Sequence, residues 1–277
     1  MLGPPSPWSR RISRRHQSRW ARAWDRPIRT DRRESWEEET NRLLEDLELE
    51  PTRPVVLLST RSSKYYEGLR TRSGPGKPGN EVSEDTQIRN PDLSSYLPAC
   101  RLLRARGFSV VRIGVDQEPL SSEWNEVATD YATKSRSERS DLLLARRSTF
   151  LLNGCSGAWI LTALFNRPQI VTNSYVPFLS SVQSSDIFSH QLRKVTSTGR
   201  LQTFRQMAAT GWQYSYESNL KRDGIELIKN TPEEIAEMVE EMLARLDGTF
   251  RETAEEASRR ARFEEIRVLS TGVWDRP

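Results

Sequence analysis

Short apolar runs recur along this chain, and segments with helical spacing separate most of them. Residues 54–60 form a β-branched and aliphatic run that stops at Arg61. Residues 108–113 stop at Gly114, residues 127–131 are a shorter run, residues 149–152 stop at Asn153, and residues 169–172 stop at Asn173. Between them, Asn90-Pro91-Asp92 opens a helix with Leu93, Tyr96, Leu97, Leu102 and Leu103 on its apolar side. Residues 135–147 and 159–165 carry two more helical patterns. Strands alternating with helices at this spacing predict an α/β fold, with a Rossmann-like, mostly parallel sheet flanked by helices. Ligands of such sheets bind at the carboxyl ends of the strands. Here those ends carry Arg61, Gly114, Asn153-Gly154-Cys155-Ser156-Gly157 and Asn173-Ser174.

Of these ends, residues 153–157 are the most suggestive. Gly154, Ser156 and Gly157 predict a sharp backbone turn that leaves room for a close approach. A helix starting at Trp159 would present N–H groups and a positive dipole end, which suits a phosphate. Arg61, at the end of the first strand, would add a guanidinium able to grip a diphosphate in bidentate fashion. Cys155 has two readings, a small residue that fits a tight turn or a nucleophile activated at a helix start.

Other chemistries find less support. There is no Gly-x-Gly-x-x-Gly after a strand and no Lys in a phosphate-loop pattern. His16 and His190 are the only histidines, and no Cys/His spacing suits a metal. Cys100 and Cys155 are the only cysteines, which points to a reducing, cytoplasmic setting. No apolar run is long enough to span a membrane.

The chain has 277 residues, of which 35% are hydrophobic and 29% charged, enough for one large domain with an accessory arm. The formal net charge of +4 is concentrated at the start. Within residues 1–33, Arg10, Arg11, Arg14, Arg15, Arg19, Arg22 and further arginines face only Asp25 and Asp31. This segment reads as a basic, disordered or loosely helical arm that could contact nucleic acid or an anionic surface. A linker helix is expected over 34–52, opened by Ser35-Trp36-Glu37-Glu38 with capping-box spacing. The main domain then spans 53–250, and a C-terminal helix and tail occupy 251–277. Residues 62–90 read as a long loop and residues 175–194 as irregular, while Thr231-Pro232-Glu233-Glu234 marks a helix start.

Several blocks, taken in order, resemble a family of bacterial glycosyltransferases. They are Val56-Leu57-Leu58-Ser59-Thr60-Arg61, Arg89-Asn90-Pro91-Asp92-Leu93, Val111-Arg112-Ile113-Gly114, Asp130-Tyr131-Ala132, Ser140-Asp141, residues 153–157, Asp186-Ile187-Phe188 and Asn230-Thr231-Pro232-Glu233-Glu234-Ile235. The resemblance covers roughly residues 54–245. It implies the nucleotide-sugar-binding half of a GT-B glycosyltransferase, transferring a sugar from a nucleoside diphosphate donor to a glycan, lipid or protein acceptor. It further implies a metal-independent reaction with no bound cofactor. Arg61 and the turn Gly154, Cys155, Ser156 and Gly157 would hold the diphosphate, and Arg89, Arg112 and Asp186 would line the cleft. The resemblance names no catalytic base. Where the family has His before the strand-end Arg, this chain has Ser59. Only about fifty residues precede the first strand, so a full N-terminal acceptor domain is not expected in this chain. The reading of a different class is a non-catalytic α/β binding module working through its basic arm.

Overall fold

The computed structural model describes residues 34–62, 64, 88, 90–175, 185–210 and 217–271. The basic arm, Arg89 and most of the loop between 62 and 90 lie outside the described residues.

Five strands form one sheet: β1 (Val55–Thr60), β2 (Ser109–Arg112), β3 (Phe150–Gly154), β4 (Gln169–Ser174) and β5 (Ile187–His190). They lie in the order β2-β1-β3-β4-β5, and every pairing is parallel. The parallel α/β reading is therefore correct. The third predicted strand, residues 127–131, is reduced to a single parallel bridge from Thr129 to Val111 at the outer edge of β2. Its last residue, Tyr131, instead opens a short helix, α3 (Tyr131–Lys134). Counting that bridge as a vestigial strand, the sheet follows the doubly wound order 3-2-1-4-5-6, with its topological switch between β1 and β3.

Both faces of the sheet are covered. Successive β1 side chains alternate: Val56 and Leu58 pack one way, Val55 and Leu57 the other. On the first face lie α2 (Leu97–Ala105) and α8 (Pro232–Leu246), with Leu103, Ile235, Val239 and Met242 buried against Phe150 and Ile170. On the second lie α1 (Glu34–Asp46), α4 (Glu138–Arg147) and α5 (Trp159–Leu164), around Leu44, Leu144 and Leu151. A strand apolar in both directions is what a sheet sandwiched between helix layers requires.

The helix ends follow local chemistry, with one correction. Thr231 caps α8 as expected, its side chain accepting from the Glu234 amide while Glu234 reaches back. By contrast, α1 begins at Glu34, so Ser35 sits inside the helix rather than capping it.

Of residues 175–194, expected to be irregular, 187–190 and 192–194 belong to strands and 176–184 lie outside the described residues. Besides β5, β6 (Leu192–Val195) pairs antiparallel with β7 (Ile225–Ile228) in a small separate ribbon. Three more α-helices lie among the described residues: α6 (Phe204–Ala209), α7 (Glu217–Arg222) and α9 (Ala254–Thr271). Among the described residues no helix is long and apolar enough to cross a membrane.

Candidate functional site

At the switch point, the carboxyl ends of β1 and β3 lie side by side, with Ser59 level with Asn153 and Thr60 level with Gly154. Ser59 Oγ and Ser156 Oγ are 2.8 Å apart and tie the two ends together. Asn153 organises the turn from below. Its Oδ1 accepts from the Ser156 amide at 2.9 Å and from Ser156 Oγ at 2.8 Å, while its Nδ2 donates to the Ser156 carbonyl at 3.2 Å. Ser156 Oγ in turn accepts from the Ala158 amide at 3.3 Å. Two of the amides expected to greet a phosphate are thus already engaged within the turn. The helix that follows is only six residues long.

The glycines play different parts from those anticipated. The sharp left-handed step falls on Cys155, with φ of 54°, not on a glycine. Gly154 is a place of close approach, but the space is already filled. A β-carbon there would lie 2.7 Å from Tyr96 Oη and 2.8 Å from Pro91 Cγ. Only Gly157 is exposed, and a β-carbon there would meet nothing within 4 Å. Arg61 follows β1 directly and is half-buried beside this crevice.

Farther along the same edge, buried neutral groups close on one another. Tyr96 Oη lies 2.6 Å from Thr172 Oγ1 and accepts from Asn173 Nδ2 at 3.3 Å. Burial pushes the Tyr96 phenol up to about 12, so it stays protonated at any ordinary pH. Asn173, at φ of 55°, and Asn230 exchange main-chain amide to side-chain oxygen bonds at 2.7 and 2.8 Å. Asn230 Nδ2 also donates to Ser189 Oγ at 2.8 Å.

Beyond Asn230 opens a cleft of about 990 Å³ between β5, α6, the start of α8 and α9. His190, Phe204 and Phe263 form its aromatic wall, with ring centroids 5.1 to 5.9 Å apart. Burial holds the His190 imidazole down at about 4, with the nearby Arg193 charge adding to the shift. It is therefore neutral at pH 7. Sequence reasoning gave His190 no place in the site because it lies in no recognisable motif, and it marked Asn173 only as a strand end. Asn230 was visible only as part of a helix-start block.

The remaining predicted residues are not gathered here. Arg112 ends β2 but is 3% exposed, and both its terminal nitrogens brace the loop beyond it. It donates to the Glu118 carbonyl at 2.6 Å, to Gln117 Oε1 at 2.9 Å and to Asp130 Oδ1 at 3.3 Å. It acts on the crevice only indirectly, since Gln117 Nε2 reaches the Thr60 carbonyl at 3.3 Å. Asp186 lies at the opposite end of the sheet, where it accepts from the Gln169 amide at 3.1 Å, at the start of β4. With β4 spanning roughly 17 Å at about 3.3 Å per residue, Asp186 cannot line a cleft at the carboxyl edge. Among the described residues no group of three His, Cys, Asp or Glu side chains could hold a metal ion.

No protein-family model matches the chain. No curated protein sequence matches it. A solved structure with a similar chain path is that of the E. coli ADP-heptose lps heptosyltransferase II, at 15% identity and a TM-score of 0.45. The match covers 78% of this chain and 53% of that one, so this chain spans about half the length of that structure.

Proposed function

We propose that this chain binds a nucleoside diphosphate sugar at the carboxyl edge of its sheet and takes part in transferring the sugar to an acceptor. One observation carries the reading. At the switch point of a doubly wound sheet, where ligands of such folds sit, Ser59 and Ser156 form a hydroxyl bridge beside the half-buried Arg61 and the open Gly157 backbone. Two of the sequence blocks that resemble a glycosyltransferase family, residues 56–61 and 153–157, lie side by side here.

Arg61 would face the diphosphate and stabilise its charge as the sugar leaves, the role that fixed donors and cations play in such transfers. Gly157 would let the ligand approach the main chain. The cleft beside β5 offers Phe204 and Phe263 to a base, with Asn230 and Glu234 also in its lining. Arg112 contributes by holding Gln117 against the end of β1, and Asp186 has no part. Cys100 and Cys155 form no disulfide, which accords with action in the cytoplasm.

Calorimetric titration of the full chain with a panel of nucleoside diphosphates and their sugars tests this reading. Wild type should bind at least one of them. Arg61→Ala should weaken that binding by about 1.5–3 kcal/mol, the range for a hydrogen bond to a charged group. Failure of wild type to bind any member of the panel ends the proposal.

A further inference from the structure

The amino edge of the sheet carries a second concave site, away from the crevice. A cleft of about 670 Å³ opens between α1, the end of α4, the turn before β4 and the end of α8. Arg146, Arg147 and Arg167 line it, together with Thr52, Ser148 and Thr149. We propose that this cleft is an anion site that takes a phosphate-bearing ligand on the guanidinium groups of Arg146, Arg147 and Arg167.

The chemistry is one-sided. The one carboxylate in the lining, Glu37, is largely exposed and stands 3.6 Å from Arg146 Nη2. Among the described residues, Arg147 and Arg167 make no ion pair; their partners are carbonyl oxygens. Arg147 donates to the Pro51 carbonyl at 2.6 Å. Arg167 donates to the Arg146 carbonyl through Nε at 3.1 Å and Nη2 at 2.6 Å.

These bonds have two consequences. They fix the guanidinium groups in place, so a ligand need not order them. They also cover two carbonyls beside the cleft, that of Arg146 at the end of α4 and that of Pro51 ahead of β1.

The negative end of the α4 dipole accounts for cations at Arg146 and Arg147. It does not call for a third from the separate α5–β4 turn. That third charge is costly: burial, and then the charges of Arg147 and Arg146, pull the Arg167 guanidinium below its ordinary range. A bound dianion would relieve this repulsion. Arginine's planar fork matches phosphate oxygens, and the volume falls within the range for small-molecule sites.

The ligand could be a free phosphorylated molecule or a lipid headgroup, and two experimental arms separate them. In the first, the full chain is titrated with inorganic pyrophosphate by calorimetry. Wild type should bind, Arg146→Gln and Arg167→Gln should each weaken binding about tenfold or more, and Glu37→Gln should strengthen it a few-fold. Arg61→Ala, at the other edge, should leave it unchanged, so failure here and failure of the glycosyl-transfer reading are separate results.

In the second arm, the same variants are sedimented with phosphatidylcholine vesicles containing phosphatidic acid. A response to Arg146→Gln in this arm alone assigns a lipid headgroup; a response in the first alone assigns a soluble phosphate. Melting curves report folding of each variant. If Arg167→Gln does not fold, Arg146→Gln decides, since among the described residues its guanidinium meets exposed Glu37 and the Trp36 ring. The proposal falls if wild type binds in neither arm, or if Arg146→Gln binds as well as wild type.

Discussion

The two edges of the sheet solve the same problem, buried polarity, in opposite ways. At the carboxyl edge of β3, β4 and β5 the buried groups are neutral. Asn153, Thr172, Asn173, Tyr96 and Asn230 satisfy one another across strands that are far apart in sequence. At the amino edge the buried and half-buried groups are charged and rest on backbone: Asp186 on the Gln169 amide, Arg167 on the Arg146 carbonyl, Arg147 on the Pro51 carbonyl. A closed neutral network holds a rigid surface without attracting ions of either sign. Charges that rest on backbone keep their net field. The first edge can therefore position a ligand whose charge is met by Arg61, while the second concentrates positive charge in a cleft.

Arg112 breaks this division, because it places a buried ion pair at the carboxyl edge, with Arg112 and Asp130 side chains 4% and 8% exposed. Removing one member of such a pair strands the other in a poorly solvated site. Arg112→Met should lower stability by about 3–5 kcal/mol in urea unfolding. The same change at the amino edge, Arg167→Met, leaves only a carbonyl without its partner and should cost about 1 kcal/mol. Equal losses would mean that the two edges do not differ in how their charges are anchored.

The pH dependence of stability sharpens the contrast at β5. His190 titrates at about 4 in the fold against an ordinary value of 6.5. Above pH 6.5 the imidazole is neutral in both states and adds no pH dependence. As pH falls from 6.5 to 4, the unfolded chain takes up the proton and the folded chain does not. Stability therefore drops across that window, by about 3 kcal/mol in total, and levels off below it. His190→Gln should remove this component from the stability curve, as measured by the difference between wild type and variant. Retention of the full slope in His190→Gln would place its origin elsewhere.

What could be read from the sequence follows from the range of the signals. β1 and β3 are visible because they are buried on both faces and read as continuous apolar runs. β5, with Phe188 and Ser189 only partly buried, and the half-exposed β7 carry no such run. Their pairing is set by tertiary contacts, so residues 175–194 look featureless. The crevice was legible through Arg61 and residues 153–157, which sit at strand ends. The occupancy of its amides by Asn153 was not, because a side chain folding back three residues leaves no periodic trace. Arg112 and Asp186 entered together, as residues that the family resemblance implies for the cleft. Strand direction separates them, since Arg112 follows β2 to the carboxyl edge and Asp186 precedes β5 at the amino edge.

The two glycines of the crevice give the finest test of how the carboxyl edge works. They look equivalent in sequence, yet only Gly154 is enclosed. A β-carbon there would press on Tyr96 Oη, which cannot yield because it is held between Thr172 and Asn173. Gly154→Ala should therefore cost about 1–3 kcal/mol, as overpacking does. Gly157→Ala meets open space at a φ that an alanine accepts, so its stability should stay within about 0.5 kcal/mol of wild type. Ligand binding should reverse the order of effects per unit of stability lost. If the donor approaches the main chain at Gly157, a methyl group there weakens nucleotide binding in a chain that melts like wild type. Unchanged affinity in Gly157→Ala would move the diphosphate away from the turn and toward Arg61 alone.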